Sequence, residues 1–462
     1  MNATKTWNPL AELRTQLHGT LLEPQDTGFA EAVQGWSLGH QHHPSVVLIA
    51  QQSSDVVAAV QFARVQRLPI AVQATGHGFV RAADGALLIN VSRLNSVQVN
   101  PISQTAMVQP GATWAQVLEV AHEFGLTGLV GDTPSVGAIG YTLGGGFGWF
   151  ARKYGLGCDT LLEAQVVTID GVLRTVNAEL EPELFWGLRG GAGGLGIVTE
   201  MTIRLFPENT VTAAQIVFPL ETARNAMRTY RDWVKTAPFE VTSRIAIMHG
   251  PDVEFLPPFL RGKTAVMLQA VYSGSEAGAQ VALLELMRIP GSIAQIVNRI
   301  PPTRLGEFFG APPAPTESVG RAEQLSSLTD EALDALFSFA QSQPAPLYLL
   351  EVRHMGGAVA RVDDDATAFA HRKANFFVNY HAMVFAPPVR EVAKMSVEQF
   401  TNTLEPFATG PIMPNFINAD EGLERDHAAY PGLKTIRLAM LKSRFDPANV
   451  LRFARTPGSR PA

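Results

Sequence analysis

Thr75-Gly76-His77-Gly78 follows a short apolar run, Ile70 to Gln73. Small residues after a strand leave successive backbone N–H groups free, and such a nest can cradle a pyrophosphate. A histidine in the nest can sit beside a cofactor ring. Taken alone, the segment reads as a turn with an incidental histidine, and the cradle is the alternative. The stretch Gly131 to Gly148 is more specific, with glycine at 131, 137, 140, 144, 145, 146 and 148. Such residues leave a bare backbone wall suited to a large planar ligand. Each costs about 1 kcal/mol relative to alanine, so a purely structural use is not expected. Gly191-Ala-Gly193-Gly-Leu-Gly196 matches G-x-G-x-x-G, but a helix precedes it and a strand follows. A dinucleotide fingerprint needs the reverse order, so the match is set aside.

Other residues invite catalytic or metal readings. His40-Gln-His42-His43 lacks a cysteine or carboxylate spaced to complete a site, so it reads as an exposed loop and no metal is expected. His354, His381, Tyr348 and Tyr380 fall on expected strands. Each reads more readily as a satisfied strand residue than as a base, because a base must reach the reacting proton. Cys158 is the single cysteine, which excludes a disulfide within the chain and a cysteine zinc cluster.

The elements that must position these residues divide in two. Before Pro207, strands are expected at Val46–Gln51, Ile70–Gln73, Leu87–Val91 and Ile197–Leu205. Helices are expected over Val56–Gln66 behind the capping pair Ser53 and Ser54, from Thr113 to about Phe124, and over Glu181–Leu188. Glu163–Val176 reads as a hairpin around Asp170-Gly171. Sixteen of the 40 glycines lie between Gly131 and Gly196. From 208 to about 410 the chain turns proline-rich, and strands (Thr212–Phe218, Val241–His249, Thr264–Tyr272, Leu347–Arg353, Ala374–Phe385) alternate with helices. This reads as an open sheet with helices on one face. Gly310 to Pro315 is the nearest thing to a linker, and the tail from about Asn415 is mostly helical.

Composition bounds the function. The 462 residues are 46% hydrophobic and 17% charged, with a formal net charge of −6. That is a folded chain of two or three domains, not a disordered one. Its mild acidity argues against a nucleic-acid partner, which needs a basic surface. No window reaches the roughly 18 apolar residues of a spanning helix. The N-terminus lacks a basic start followed by an apolar run, so a soluble, cytoplasmic protein with no membrane partner is expected.

Together these motifs bring a resemblance. The chain resembles the berberine-bridge-enzyme-like FAD-linked oxidases of the vanillyl-alcohol oxidase/PCMH flavoprotein superfamily. The resemblance rests on Gly76-His77, the 131–148 glycine run, Arg152–Asp159, Glu183–Glu200 and Arg444–Phe453, with a looser match at Gly356–Arg372. It implies an α+β fold: a PCMH-type FAD-binding domain made by both chain ends, residues 1–207 (core about 40–207) and 412–462. An α/β substrate domain, residues 208–411, an antiparallel sheet covered by helices, is inserted between them. It implies flavin contacts from Thr75, Gly76, His77 and Gly78, and from Thr133, Pro134, Ser135, Val136 and Gly137. Further contacts are implied from Gly140, Tyr141, Gly144, Gly145 and Gly146, from Gly196, Ile197 and Val198, and from Asn415.

The same resemblance implies a covalent bond from His77 to the flavin. Many members add a second bond from a cysteine, but this chain has Thr133 there, and Cys158 lies elsewhere. One link, through His77, is therefore expected. Val136 stands where a valine is associated with oxygen access. The usual tyrosine of a Y-x-N motif is replaced by Met413 in Met413-Pro414-Asn415. The base must then come from elsewhere, and Tyr380 and His381 are the candidates. They are adjacent in a strand, so only one can face the flavin. The implied activity is hydride removal from a C–H beside an alcohol or amine of a small substrate, with O2 as acceptor giving H2O2; the mostly apolar, proline-rich insert points to an uncharged, fairly hydrophobic molecule, a secondary metabolite or an oligosaccharide-like alcohol. A dehydrogenase using another acceptor and a non-redox rearrangement are the competing readings.

Overall fold

The computed structural model describes residues 9–39, 41–78, 81–254, 256–343, 347–410, 413–418 and 421–458. Three sheets organise the chain. The first holds β1 (Thr20–Leu22), β2 (Val46–Ile49), β3 (Ile70–Gln73) and β4 (Leu87–Asn90) in the order β1-β2-β4-β3. β4 runs parallel to both β2 and β3. The crossover helix Ser53–Gln66 starts earlier than expected: Ser53 and Ser54 are its first residues, and its cap is Gln52, with Asp55 closing a capping box. Asp55 is buried and also accepts the N–H groups of His18 and Gly19.

The second sheet holds β5 (Val97–Asn100), β6 (Thr105–Val108), β7 (Leu161–Val167), β8 (Leu173–Asn177) and β9 (Ile197–Arg204), ordered β5-β6-β9-β7-β8 and antiparallel. Gly171, at φ +81°, makes the expected turn between β7 and β8.

The third sheet has seven antiparallel strands: β10 (Val211–Pro219), β11 (Val241–Gly250), β12 (Lys263–Tyr272), β13 (Ala294–Ile300), β14 (Ser318–Leu325), β15 (Tyr348–His354) and β16 (Phe376–Met383). Their order is β13-β10-β12-β11-β15-β16-β14. The sequence reading finds five of these and misses both edges. β13 is exposed along most of its length, and β14 carries a glycine and three charged or amide side chains, so neither shows clean alternation. Gly310 to Pro315 is not a linker between bodies. It runs from the short helix Leu305–Phe308 into β14.

Helices Ala223–Trp233, Glu276–Met287, Asp330–Ser342 and Pro387–Leu404 cover one face of this sheet, and Tyr230, Leu283, Leu336 and Phe400 pack there on Ile245, Val266 and Leu350. The opposite face meets the first half of the chain, where Ala213 and Phe377 share a core with Trp114 and Phe150. The tail returns to that first half. Val450 accepts from Ile70 N–H at 2.9 Å, and Tyr430 donates to Gly190 at 3.1 Å. Buried Lys442 holds Gly194 O, Asp446 and Leu451 O.

Candidate functional site

β3 ends at Gln73, and the chain then passes close against Gly35. A Cβ at Gly76, whose φ is +73°, would collide with Gly35. Trp36 N–H donates to Thr75 O at 2.8 Å and Ser37 N–H to Gly76 O at 3.3 Å. This pinning stacks His77 on Trp36, with ring centroids 4.4 Å apart and planes at 14°. His77 Nδ1 lies 2.8 Å from Thr75 Oγ1, and Nε2 lies 3.5 Å from Ser135 Oγ. Burial pushes the His77 pKa down to about 4, so the imidazole is neutral at pH 7 and keeps a nitrogen lone pair. Among the described residues, the N–H groups of Thr75, Gly76 and His77 donate to no protein acceptor. A Cβ at Gly78 would meet open space.

Thr133 to Gly137 folds over the start of the helix Trp114–His122, where Pro134 O accepts from Ala115 and Val136 O from Trp114. Gly137 comes against Ala74 and Thr75. Two segments some sixty residues apart in the chain thus converge on His77.

The glycine run needs a correction. Much of its bare wall is filled by protein. Tyr141 occupies the hollow left by Gly131, Gly146, Gly148 and Gly157, and Phe369 lies over Gly145. Asn415 lies over Gly144, accepts from Gly146 N–H at 2.8 Å and donates to Tyr141 O at 3.2 Å. The side chains of Tyr141 and Asn415 are therefore engaged in closing the protein around itself. Gly140 faces open space. Burial holds the Tyr141 phenol well above its ordinary range, so it is no proton carrier near neutrality. Ile197 and Val198 put their side chains into the cores. Their backbone pairs with β7 alone, because β6 joins β9 only from Met201 onward. A main-chain edge is left open there, beside Gly196.

The candidate bases also separate. Tyr380 lies on the helix-covered face, stacked on Phe400 at 5.2 Å, with its hydroxyl 3.4 Å from Gln343. This corrects the expectation for Tyr380, which points away from the glycine run. His381 points to the opposite face, where its Nδ1 has no hydrogen-bond partner. Tyr348 shares the helix-covered face and donates to Ala340 O. His354 accepts from Arg152 Nη1 at 2.8 Å, and burial holds its pKa down to about 2, as befits a neutral structural acceptor.

On the face that carries His381, a closed ring of charges joins sheet and glycine run. Arg244 bonds Asp132 at 3.0 Å and also Glu351; Arg353 bonds Glu351 at 2.6 Å and also Asp132. Two guanidiniums balance two carboxylates, and both arginines hold Glu351 down to about 2 despite its burial. Sequence reading missed this ring and Trp36. The signal for the ring was Glu351 and Arg353 two apart in an apolar strand, charges that must be paired if buried. Of the histidine cluster, His40 lies outside the described residues. His42 is not an exposed loop residue: it is buried and accepts from Ala83 N–H. Among the described residues no group of three or more metal-ligating side chains converges.

The geometry suits FAD. Free N–H groups at Thr75–His77 match a pyrophosphate, a neutral His77 matches a bond to the flavin, and open space at Gly78 and Gly140 admits the ligand. Residues 44–177 match the family model of an FAD binding domain. An uncharacterised FAD-linked oxidoreductase of Bacillus subtilis is 26% identical over 454 residues, 95% of this chain and 97% of that one. A 6-hydroxy-D-nicotine oxidase structure from Arthrobacter nicotinovorans superposes with a TM-score of 0.85 at 22% identity, covering 96% and 98% of the two chains. The BBE-like 1 structure from Physcomitrella patens superposes with a TM-score of 0.85 at 20% identity, covering 98% and 99%. The chain thus carries an FAD-binding domain within a berberine-bridge-enzyme-like, PCMH-type fold. It is an FAD-linked oxidoreductase. Among the described residues no helix is long and apolar enough to cross a membrane.

Proposed function

We propose that the chain is an oxidase that holds FAD through one covalent bond from His77. The observation that carries this reading is the neutral His77, stacked on Trp36 and facing Ser135, beside the unpaired N–H groups of Thr75 to His77. Thr133–Gly137 and Gly140 would hold the flavin, together with the main-chain edge at Gly196–Val198. FAD held there would supply the redox chemistry: it would take a hydride from a substrate C–H beside an alcohol or amine, and O2 would take the electrons to give H2O2.

The protein orients substrate and moves the heteroatom proton. His381 takes that proton on the unpartnered Nδ1. Charges on this sheet face are locked in the Asp132–Arg244–Glu351–Arg353 ring, so the face offers little free charge. Farther along the same sheet face, Met248, Met267 and Leu349 form an apolar patch. The substrate is therefore a small, uncharged, largely apolar alcohol or amine. Domain boundaries at 207 and 411 follow, with residues 208–411 as the substrate domain.

The test is the absorbance of purified protein before and after acid precipitation. Flavin that stays with the pellet is expected, and freely extractable flavin would sink the covalent reading. Slow reoxidation in air after reduction would mark a dehydrogenase instead. Product formed without flavin reduction would mark a rearrangement.

A further inference from the structure

The two edges of the seven-stranded sheet are treated differently. At β14 the outer side is closed: Arg425 donates to Ala322 O at 2.7 Å and Thr409 N–H to Gln324 O at 2.8 Å. At the other end β13 pairs with β10 alone. Its sequence, Ala294-Gln-Ile-Val-Asn-Arg-Ile300, holds no proline, lysine or acidic residue. Edges of this kind are templates for another strand unless charge, proline or a bulge blunts them.

The edge continues into an apolar patch. Ile293 is 54% exposed and Val297 41%, and on the neighbouring helix Glu276–Met287, Val281 is 78% exposed and Leu284 is open as well. Val297 pairs with Ala214, a residue of the helix-side core, so Val297 and this helix lie on the same side of the sheet. A groove of about 360 Å³, lined by Thr229, Val281, Leu284, Glu285 and Arg288, opens there. Contiguous exposed apolar surface rimmed by polar groups marks an interaction site.

We propose that β13 pairs with β13 of a second copy of this chain, antiparallel about a two-fold axis at Val297, making one sheet of fourteen strands. Charge selects both the occupant and the register. With the axis at Val297, each Arg299 faces Gln295 of the other copy, so no like charges meet. The groove carries one acid and one base, Glu285 and Arg288, and two such grooves are complementary across a two-fold axis. The helix Glu276–Met287 then meets its own copy, covering Val281 and Leu284.

Sedimentation equilibrium on the flavin-loaded protein tests this. Wild type is expected as a dimer at micromolar concentration. Val297→Lys sets two ammonium groups against each other on the axis and should weaken association on the order of a hundredfold. Val281→Glu should weaken it too, through the helix contact rather than the strand. Both positions are open, and unchanged flavin absorbance and melting temperature would show the fold intact. A monomeric wild type at every concentration overturns the proposal. So does a dimer that survives both substitutions, which would place the interface elsewhere.

Discussion

His77 and Cys158 illustrate how burial sets reactivity at single residues. His77 is kept neutral by burial, so its imidazole keeps the lone pair that a bond to a flavin would need. Cys158 is fully buried, and that burial pushes its thiol far above the ordinary range, leaving almost no thiolate. His77→Ala should therefore release all flavin to the acid supernatant, and peptide mapping of the wild type should find flavin on the His77 peptide alone. An adduct at Cys158 would overturn the assignment. His381 and Tyr380 divide as sharply. His381→Ala should slow anaerobic flavin reduction by about 10²–10⁴, the usual worth of a positioned base, while Tyr380→Phe leaves that rate near wild type. Burial and Arg353 lower the His381 pKa, against Glu351, which raises it. The basic form thus persists below the ordinary value of about 6.5, and reduction should fail only at more acid pH. Stopped-flow reduction across pH checks both statements.

The charge ring belongs to the scale of elements, because it ties β11 and β15 to the loop that precedes Thr133. Removing one carboxylate leaves two buried guanidiniums sharing the other. Glu351→Gln should cost about 3–5 kcal/mol in urea unfolding, as expected for breaking a buried ion pair. A cycle with Asp132→Asn should show a coupling of about 0.5–3 kcal/mol, since the two carboxylates share both arginines. Additive losses would mean that Asp132 is only a surface partner. Elements with strong local signals were legible in advance: Thr113 caps its helix and Asp170-Gly171 turns its hairpin. The edge strands β13 and β14 were not: β13 is exposed along most of its length, and β14, though buried, mixes a glycine and polar side chains into its run.

Among the described residues of the whole molecule, five histidines (His77, His249, His354, His371 and His381) have their pKa values lowered, each chiefly by burial. Below about pH 6.5 the unfolded chain takes up protons at these sites and the folded chain does not, so stability falls as pH drops. Glu351 works in the same direction at lower pH. It stays ionised down to about 2 in the fold, so its contribution is lost as pH falls below the ordinary carboxylate value of about 4.3. Urea midpoints should be flat above about pH 7 and decline steadily toward about pH 4. His354→Gln keeps an acceptor for Arg152 without a titrating ring, and should flatten part of that decline.

By itself the sequence determined the local grammar and the family likeness: glycine spacing, the His77 turn, the caps, the hairpin and the absence of a second thiol at Thr133. These are legible because each depends on neighbours in the chain. It also required that the two candidate bases, adjacent in a strand, point to opposite faces. Only the tertiary structure decided which face meets the glycine run, and so separated His381 from Tyr380. It alone showed Tyr141 and Asn415 filling hollows that read as open wall, because what lies over a glycine comes from distant segments. The charge ring has the same origin. Asp132 and Arg353 are 221 residues apart, and only long-range packing brings such groups together and makes their pairing obligatory.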